Sequence, residues 1–191
     1  MSKSYDSIDQ QQIEQFILFC QDYCNLIESA EEYDFENIVN FLIVALPMLY
    51  FYGTIINLID DADIEYAERT VNEETYTITY NRLNDIFSKY FDFQITDDDY
   101  LWMNDISIPE FLSDIYQDLK DVVVLYNKNK LETQKAAIYL AKYWFIDRWG
   151  KESLKVLLAL HSYNYRYEEG TDNNFYNTDK NFYNNDDIYN L

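Results

Sequence analysis

Residues 107–126 read SIPEFLSDIYQDLKDVVVLY, and this stretch decides the fold. Ser107 stands in front as a cap, Pro109 sits in the first turn where its missing N–H costs little, and Glu110 completes a capping box. Leu112, Ile115, Leu119, Val122, Val123 and Tyr126 then recur at helical spacing, which predicts one buried face. Asp114, Asp118 and Asp121, at i, i+4 and i+7, form a second stripe beside it. Like charges one turn apart cost an exposed helix roughly 0.2–0.5 kcal/mol, an amount Lys120 or cations of another helix can offset. Three readings of the stripe follow: a solvated flank, a docking surface for a basic partner, or an oxygen-only metal site.

Working outward, the other segments repeat the helical pattern. Only three glycines and two prolines occur, too few for the tight turns of a sandwich or barrel. With 191 residues, the chain is long enough for one domain with its own core and short for two. Ser7 and Gln10 open a first helix in which Ile13, Phe16, Ile17, Cys20, Cys24 and Ile27 form an apolar stripe. Asp34 is a plausible cap for a second, carrying Ile38, Phe41, Leu42, Ala45, Leu49, Tyr52 and Ile56. Pro47 lies inside it and predicts a kink or a break. TYTITY, residues 75–80, alternates like a strand, yet Tyr76, Tyr80, Leu83, Phe87 and Tyr90 run at helical spacing. A lone strand has no partner here, so helix is expected. Residues 60–71 and 91–105 read as loops, the second with large aromatics. A fifth helix is expected from about Leu131 to Trp149, with Ala137, Ile138, Ala141, Trp144 and Phe145 inward. Gly150 is a stop or a pivot before a sixth, with Leu154, Leu157, Leu158, His161 and Tyr165 inward. The expectation is a single all-α domain over residues 1–168, an irregular bundle of about six helices with the second kinked or broken at Pro47. An acidic, Asn- and Tyr-rich flexible tail, residues 169–191, repeats NFYN at 174–177 and 181–184.

Residues 38–59 carry no charge and by length alone could span a bilayer. Both flanks are acidic, however, no Lys or Arg is near enough to set orientation, and Asn40, Pro47 and Asn57 interrupt the segment. A buried central helix is expected instead. Net charge is −21, which repels phosphate backbones and anionic headgroups. No direct nucleic-acid or membrane binding is expected, while a basic partner would be steered in. Cys20 and Cys24, four apart on one helix, suit core packing better than a disulfide. The polar N-terminus lacks a signal-peptide pattern, so the cytoplasm is the expected location.

Several short pieces then add up: LPMLY at 46–50, DDDY at 97–100, DIYQDLKD at 114–121, YW at 143–144, WG at 149–150 and LLALH at 157–161. In this order they resemble a bacterial family, the domain of unknown function numbered 5063, seen largely in Bacteroidetes-type bacteria. DIYQDLKD is the most specific piece, and the likeness covers about residues 10–163. It implies an all-helical fold and assigns no activity. The tail and the acidic loop at 60–71 look like departures from the family core.

Chemistry is sparse. The chain has one His and no Glu-x-x-His pair of the kind that builds dimetal centres in bundles, and DDADIE at 60–65 lacks the glycine and spacing of a calcium loop. No glycine-rich phosphate loop or catalytic motif is present, and no metal or cofactor is expected. The favoured reading is a protein-interaction module that meets a basic partner through Asp114, Asp118 and Asp121. The alternatives are an enzyme or small-ligand binder with a buried pocket formed by Tyr116, Tyr143, Trp144, Trp149 and His161, and a DNA mimic.

Overall fold

The computed structural model describes residues 7–57, 62–66, 69–89 and 107–164. They form six α-helices: α1 (Ser7–Glu28), α2 (Phe35–Ile55), α3 (Glu73–Phe87), α4 (Ile108–Tyr126), α5 (Leu131–Asp147) and α6 (Trp149–Asn164). Two 3₁₀ turns, Ala30–Glu32 and Ile64–Tyr66, lie in the connections. No strand occurs among the described residues. The expectations for residues 91–105, Tyr165 and the NFYN-bearing tail fall outside the described residues.

α4 is the hub and packs against α1, α3, α5 and α6. Ser107 begins it as expected, its hydroxyl accepting from Glu110 N at 3.4 Å. Leu112, Ile115, Leu119 and Val122 are fully buried. TYTITY is helix, because the Asn72 side chain accepts from Thr75 N at 2.9 Å and starts α3 at Glu73. Thr79, Leu83 and Phe87 then turn inward. α2 runs through Pro47 without a break. The proline removes one N–H and leaves the Ile43 carbonyl without its helical donor. Between α4 and α5, Asn129 turns the chain with φ 54°, a left-handed conformation that asparagine tolerates better than most residues.

The junction of α5 and α6 differs from the expectation. The chain bends at Arg148, and Trp149 and Gly150 begin α6 rather than end α5. The cause is Phe145, whose side chain is wedged between two glycines. A Cβ on Gly53 of α2 would overlap the Phe145 ring, and one on Gly150 would lie 2.5 Å from the Phe145 carbonyl oxygen. Close approach requires glycine at both positions. Trp149 fills the space beneath, stacked on Phe16 and donating from Nε1 to Ala141 O at 3.0 Å. The inward face of α6 is accordingly Ser153, Val156, Ala159 and Leu160, while Leu154 and His161 are exposed.

Cys20 and Cys24 are free, buried thiols, as the stripe on α1 predicts. α2 is less enclosed than expected. It is long and apolar enough to cross a membrane by length and composition alone, and only 44% of its most apolar window is buried.

Candidate functional site

The aspartate stripe of α4 faces inward. Asp118 is 1% exposed and Asp121 2%, so neither a solvated flank nor a docking surface describes them. Each is buried because α3, the α5–α6 junction and the segment before α3 close over that side of α4. Asp121 Oδ1 accepts from Thr70 N at 2.7 Å and Val71 N at 3.0 Å, and Oδ2 takes Arg69 at 3.3 Å. Gln117 Nε2 donates to Val71 O at 3.4 Å. Asp114 accepts from the Tyr76 hydroxyl at 2.7 Å. Asp118 Oδ1 receives Arg148 in a short ion pair and Arg69 at 3.4 Å. The stripe thus anchors residues 69–76 to the bundle. Asp114 is half-buried and shares that task.

The ionic seam is imperfectly satisfied. Asp118 Oδ2, Arg148 Nε and Glu152 Oε2 are buried without a hydrogen-bond partner among the described residues. Burial pushes Asp118 up to about 7, against the pull of Arg148 and Arg69. Burial, then repulsion from Asp114 and Asp118, pushes Glu152 up to about 7. Asp121 is raised by burial and held back by the Val71 and Thr70 amides. The Trp144 ring lies against both guanidiniums, its centroid 4.5 Å from the Cζ of Arg69 and 5.2 Å from the Cζ of Arg148, a cation–π arrangement that keeps both cations in place. Among the described residues no group of three His, Cys, Asp or Glu side chains is placed to hold a metal ion.

The five residues named for a pocket do not converge. Tyr116 points to α1, donating to Glu28 Oε1 at 2.9 Å, where Lys120 also reaches that carboxylate. Trp149 is in the core against Phe16 and Phe145. Trp144 belongs to the seam. Tyr143 stacks on Tyr139 at the surface, and His161 lies exposed near the end of α6. The helical phase of α6 explains His161: starting at Trp149 turns it outward. Sequence reasoning missed Arg69, Tyr76, Arg148 and Glu152. The available signal was three acids on one side of a helix otherwise composed for burial, which called for cations from elsewhere.

A second feature is the outer face of α2. Val44 is 63% exposed and Phe51 51%. With Phe41, Pro47 and Met48 they form one stripe at helical spacing. From Asn37 to Asn57 the chain carries no charge. Ahead of it Glu31, Glu32, Asp34 and Glu36 are exposed, and beyond it so are Asp63 and Glu65. A groove of about 510 Å³ adjoins the acidic end, lined by Tyr33, Phe35, Ile78 and Ile86 with Arg82 and Lys89. Arg82 is already paired with Glu31.

The family model described as "Domain of unknown function (DUF5063)" matches residues 7–166. The chain belongs to this family. The DUF5063 match takes in all six helices and the whole of the seam. The fold is shared with protein BF1032 from Bacteroides fragilis, solved by crystallography as a structural genomics target. That protein is 24% identical, with a TM-score of 0.73, over 86% of this chain and 96% of the other. The comparison with curated proteins gave no match. No function is established for this DUF5063 domain by its family or by that neighbour.

Proposed function

We propose that the domain is a cytoplasmic protein-interaction module whose docking surface is the exposed stripe of α2. The observation that carries this is the exposure of Val44 and Phe51 on a helix that is uncharged from Asn37 onward. Contiguous exposed apolar residues rimmed by polar ones mark interaction sites more often than they occur by chance. A helix in this position offers anchors at i, i+3, i+4 and i+7 to a complementary partner.

The partner this surface suits is an amphipathic helix of another protein, with basic residues near its ends. Both ends of the α2 stripe lie next to acidic residues in the chain. A second copy laid along it, parallel or antiparallel, would set carboxylates against carboxylates. An anionic bilayer meets the same repulsion from a net charge of −21. The expectation of a basic partner is thus retained, and its contact surface moves from α4 to α2.

The test is affinity capture with the wild-type chain and with a Val44→Glu/Phe51→Glu double variant, at low and high salt. Both side chains are exposed, so the melting temperature should stay within a few degrees. Each anchor lost from an interface centre costs about 1–3 kcal/mol, which predicts at least a tenfold loss of the captured partner. Capture that is unchanged by the double variant would sink the proposal.

A further inference from the structure

Residues 171–177 read TDNNFYN and residues 178–184 read TDKNFYN. They are tandem copies of one unit that differ only at the third position, Asn173 against Lys180. Each copy sets an aspartate, Asp172 or Asp179, ahead of an adjacent Phe–Tyr pair. Both lie outside the described residues and beyond residue 166, where the DUF5063 match ends. Neither the α4 seam nor the α2 stripe accounts for them.

The groove beside the start of α2 has the matching chemistry. Its apolar lining comes from Tyr33 and Phe35 on one side and from Ile78 and Ile86, on one face of α3, on the other. Tyr33 is 48% exposed and Ile78 52%, so apolar surface faces solvent there. The rim is charged. Arg82 is held by Glu31 and reaches the Ile27 carbonyl at 3.5 Å, while Lys89 stands exposed just past the end of α3. The volume of about 510 Å³ falls within the roughly 300–1,000 Å³ of small-ligand sites and accommodates one Phe–Tyr pair at a time.

The chain leaves the bundle at this groove. Tyr163, next to the last residue of α6, meets Phe35 edge to face with ring centroids 5.5 Å apart. Residues 165–174, which separate α6 from the first Phe–Tyr pair, can span at most about 35 Å. The groove begins at the ring that Tyr163 touches, so both copies are within reach.

We propose that the groove is an intramolecular docking site for this repeat. The Phe–Tyr pair of one copy, Phe175–Tyr176 or Phe182–Tyr183, buries against Phe35, Ile78 and Ile86, and the aspartate of the same copy pairs with Lys89. The two copies alternate in one site. A tethered segment meets its site at an effective concentration in the millimolar range, so contacts too weak to hold a second molecule suffice within one chain. The surface is separate from the α2 stripe, because Val44 and Phe51 do not line it, and the two readings stand or fall independently.

Methyl NMR of the full chain, labelled at the isoleucine δ1 methyls, reads the docking. Ile78 and Ile86 are the reporters, and Ile115, fully buried on α4, is the control. The wild-type chain should show NOEs from the reporter methyls to the rings of Phe175 or Phe182. Changing Phe175, Tyr176, Phe182 and Tyr183 together to Ser should abolish these NOEs and move both reporters while Ile115 stays in place. Removing the pair of one copy alone should lower the ratio of docked to undocked chain only about twofold, since the other copy takes its place. Dilution should leave the spectrum unchanged. Reporters that do not respond to the fourfold variant overturn the proposal, because the tail then does not cover the groove. A spectrum that reverts on dilution assigns the repeat to a second copy of the chain and overturns it equally. Should Ile115 also move in the variant, the wild-type NOEs decide: their presence supports docking and their absence removes it.

Discussion

Replacing Asp121 by alanine should reveal what the α4 stripe does. The change strands two backbone donors, the amides of Thr70 and Val71 at 2.7 and 3.0 Å, and takes one of two carboxylate partners from Arg69. Val71 is buried, so its N–H bears nearly the full desolvation penalty, while exposed Thr70 can turn to water. A stranded buried donor costs about 1–3 kcal/mol, more when its lost acceptor was charged. Arg69 keeps Asp118 and is partly solvated, so its share is small. The sum is about 3 kcal/mol, or roughly 10 °C in melting temperature for a chain of this size. Asp121→Asn keeps an oxygen for the two amides and should cost about 1 kcal/mol. Urea unfolding of both variants gives the numbers. An alanine variant within about 0.5 kcal/mol of wild type, as for a solvated surface position, would refute the buried anchor.

Other consequences can be checked more briefly. Gly150→Ala places a Cβ 2.5 Å from the Phe145 carbonyl oxygen, and overpacking of this kind costs about 1–3 kcal/mol. A melt at or above the wild-type temperature would show that the junction relaxes. Cys20 and Cys24 are buried with thiols raised by burial, so a thiol reagent should label neither in the native state at pH 8 and both in urea. Rapid native labelling would contradict the packing of α1. Tyr116→Phe removes the bond to Glu28 but leaves Lys120 on that carboxylate. A loss of about 1 kcal/mol is expected, with no effect on partner capture.

Helix positions were legible in the sequence because each helix needed one apolar face, and spacing alone reveals a face. Ser107, Pro109 and Glu110 even placed the start of α4. Two things were hidden for physical reasons. The phase of α6 depended on Phe145 requiring glycine at positions 53 and 150, a contact between distant segments. Its buried face also carries small residues, Ser153 and Ala159, chosen for close approach rather than hydrophobicity. The aspartate stripe was visible, but its partners were not. Arg69 and Arg148 lie 49 and 30 residues from Asp118, and no local pattern links them. The uncharged run at 38–59 reads as a buried helix. Periodicity does not reveal that its packing against α1, α3, α5 and α6 leaves Val44 and Phe51 outside.

The claim that α2 is the contact surface can be tested most directly by site-specific photo-crosslinking in cells. A photo-crosslinking amino acid would replace Val44, Phe51 or, as a control on α5, the equally exposed Leu131. The account predicts a discrete adduct from positions 44 and 51, to a protein carrying a basic-ended amphipathic helix, and none of that adduct from position 131. The same adduct from all three positions, or none from the two on α2, would contradict it.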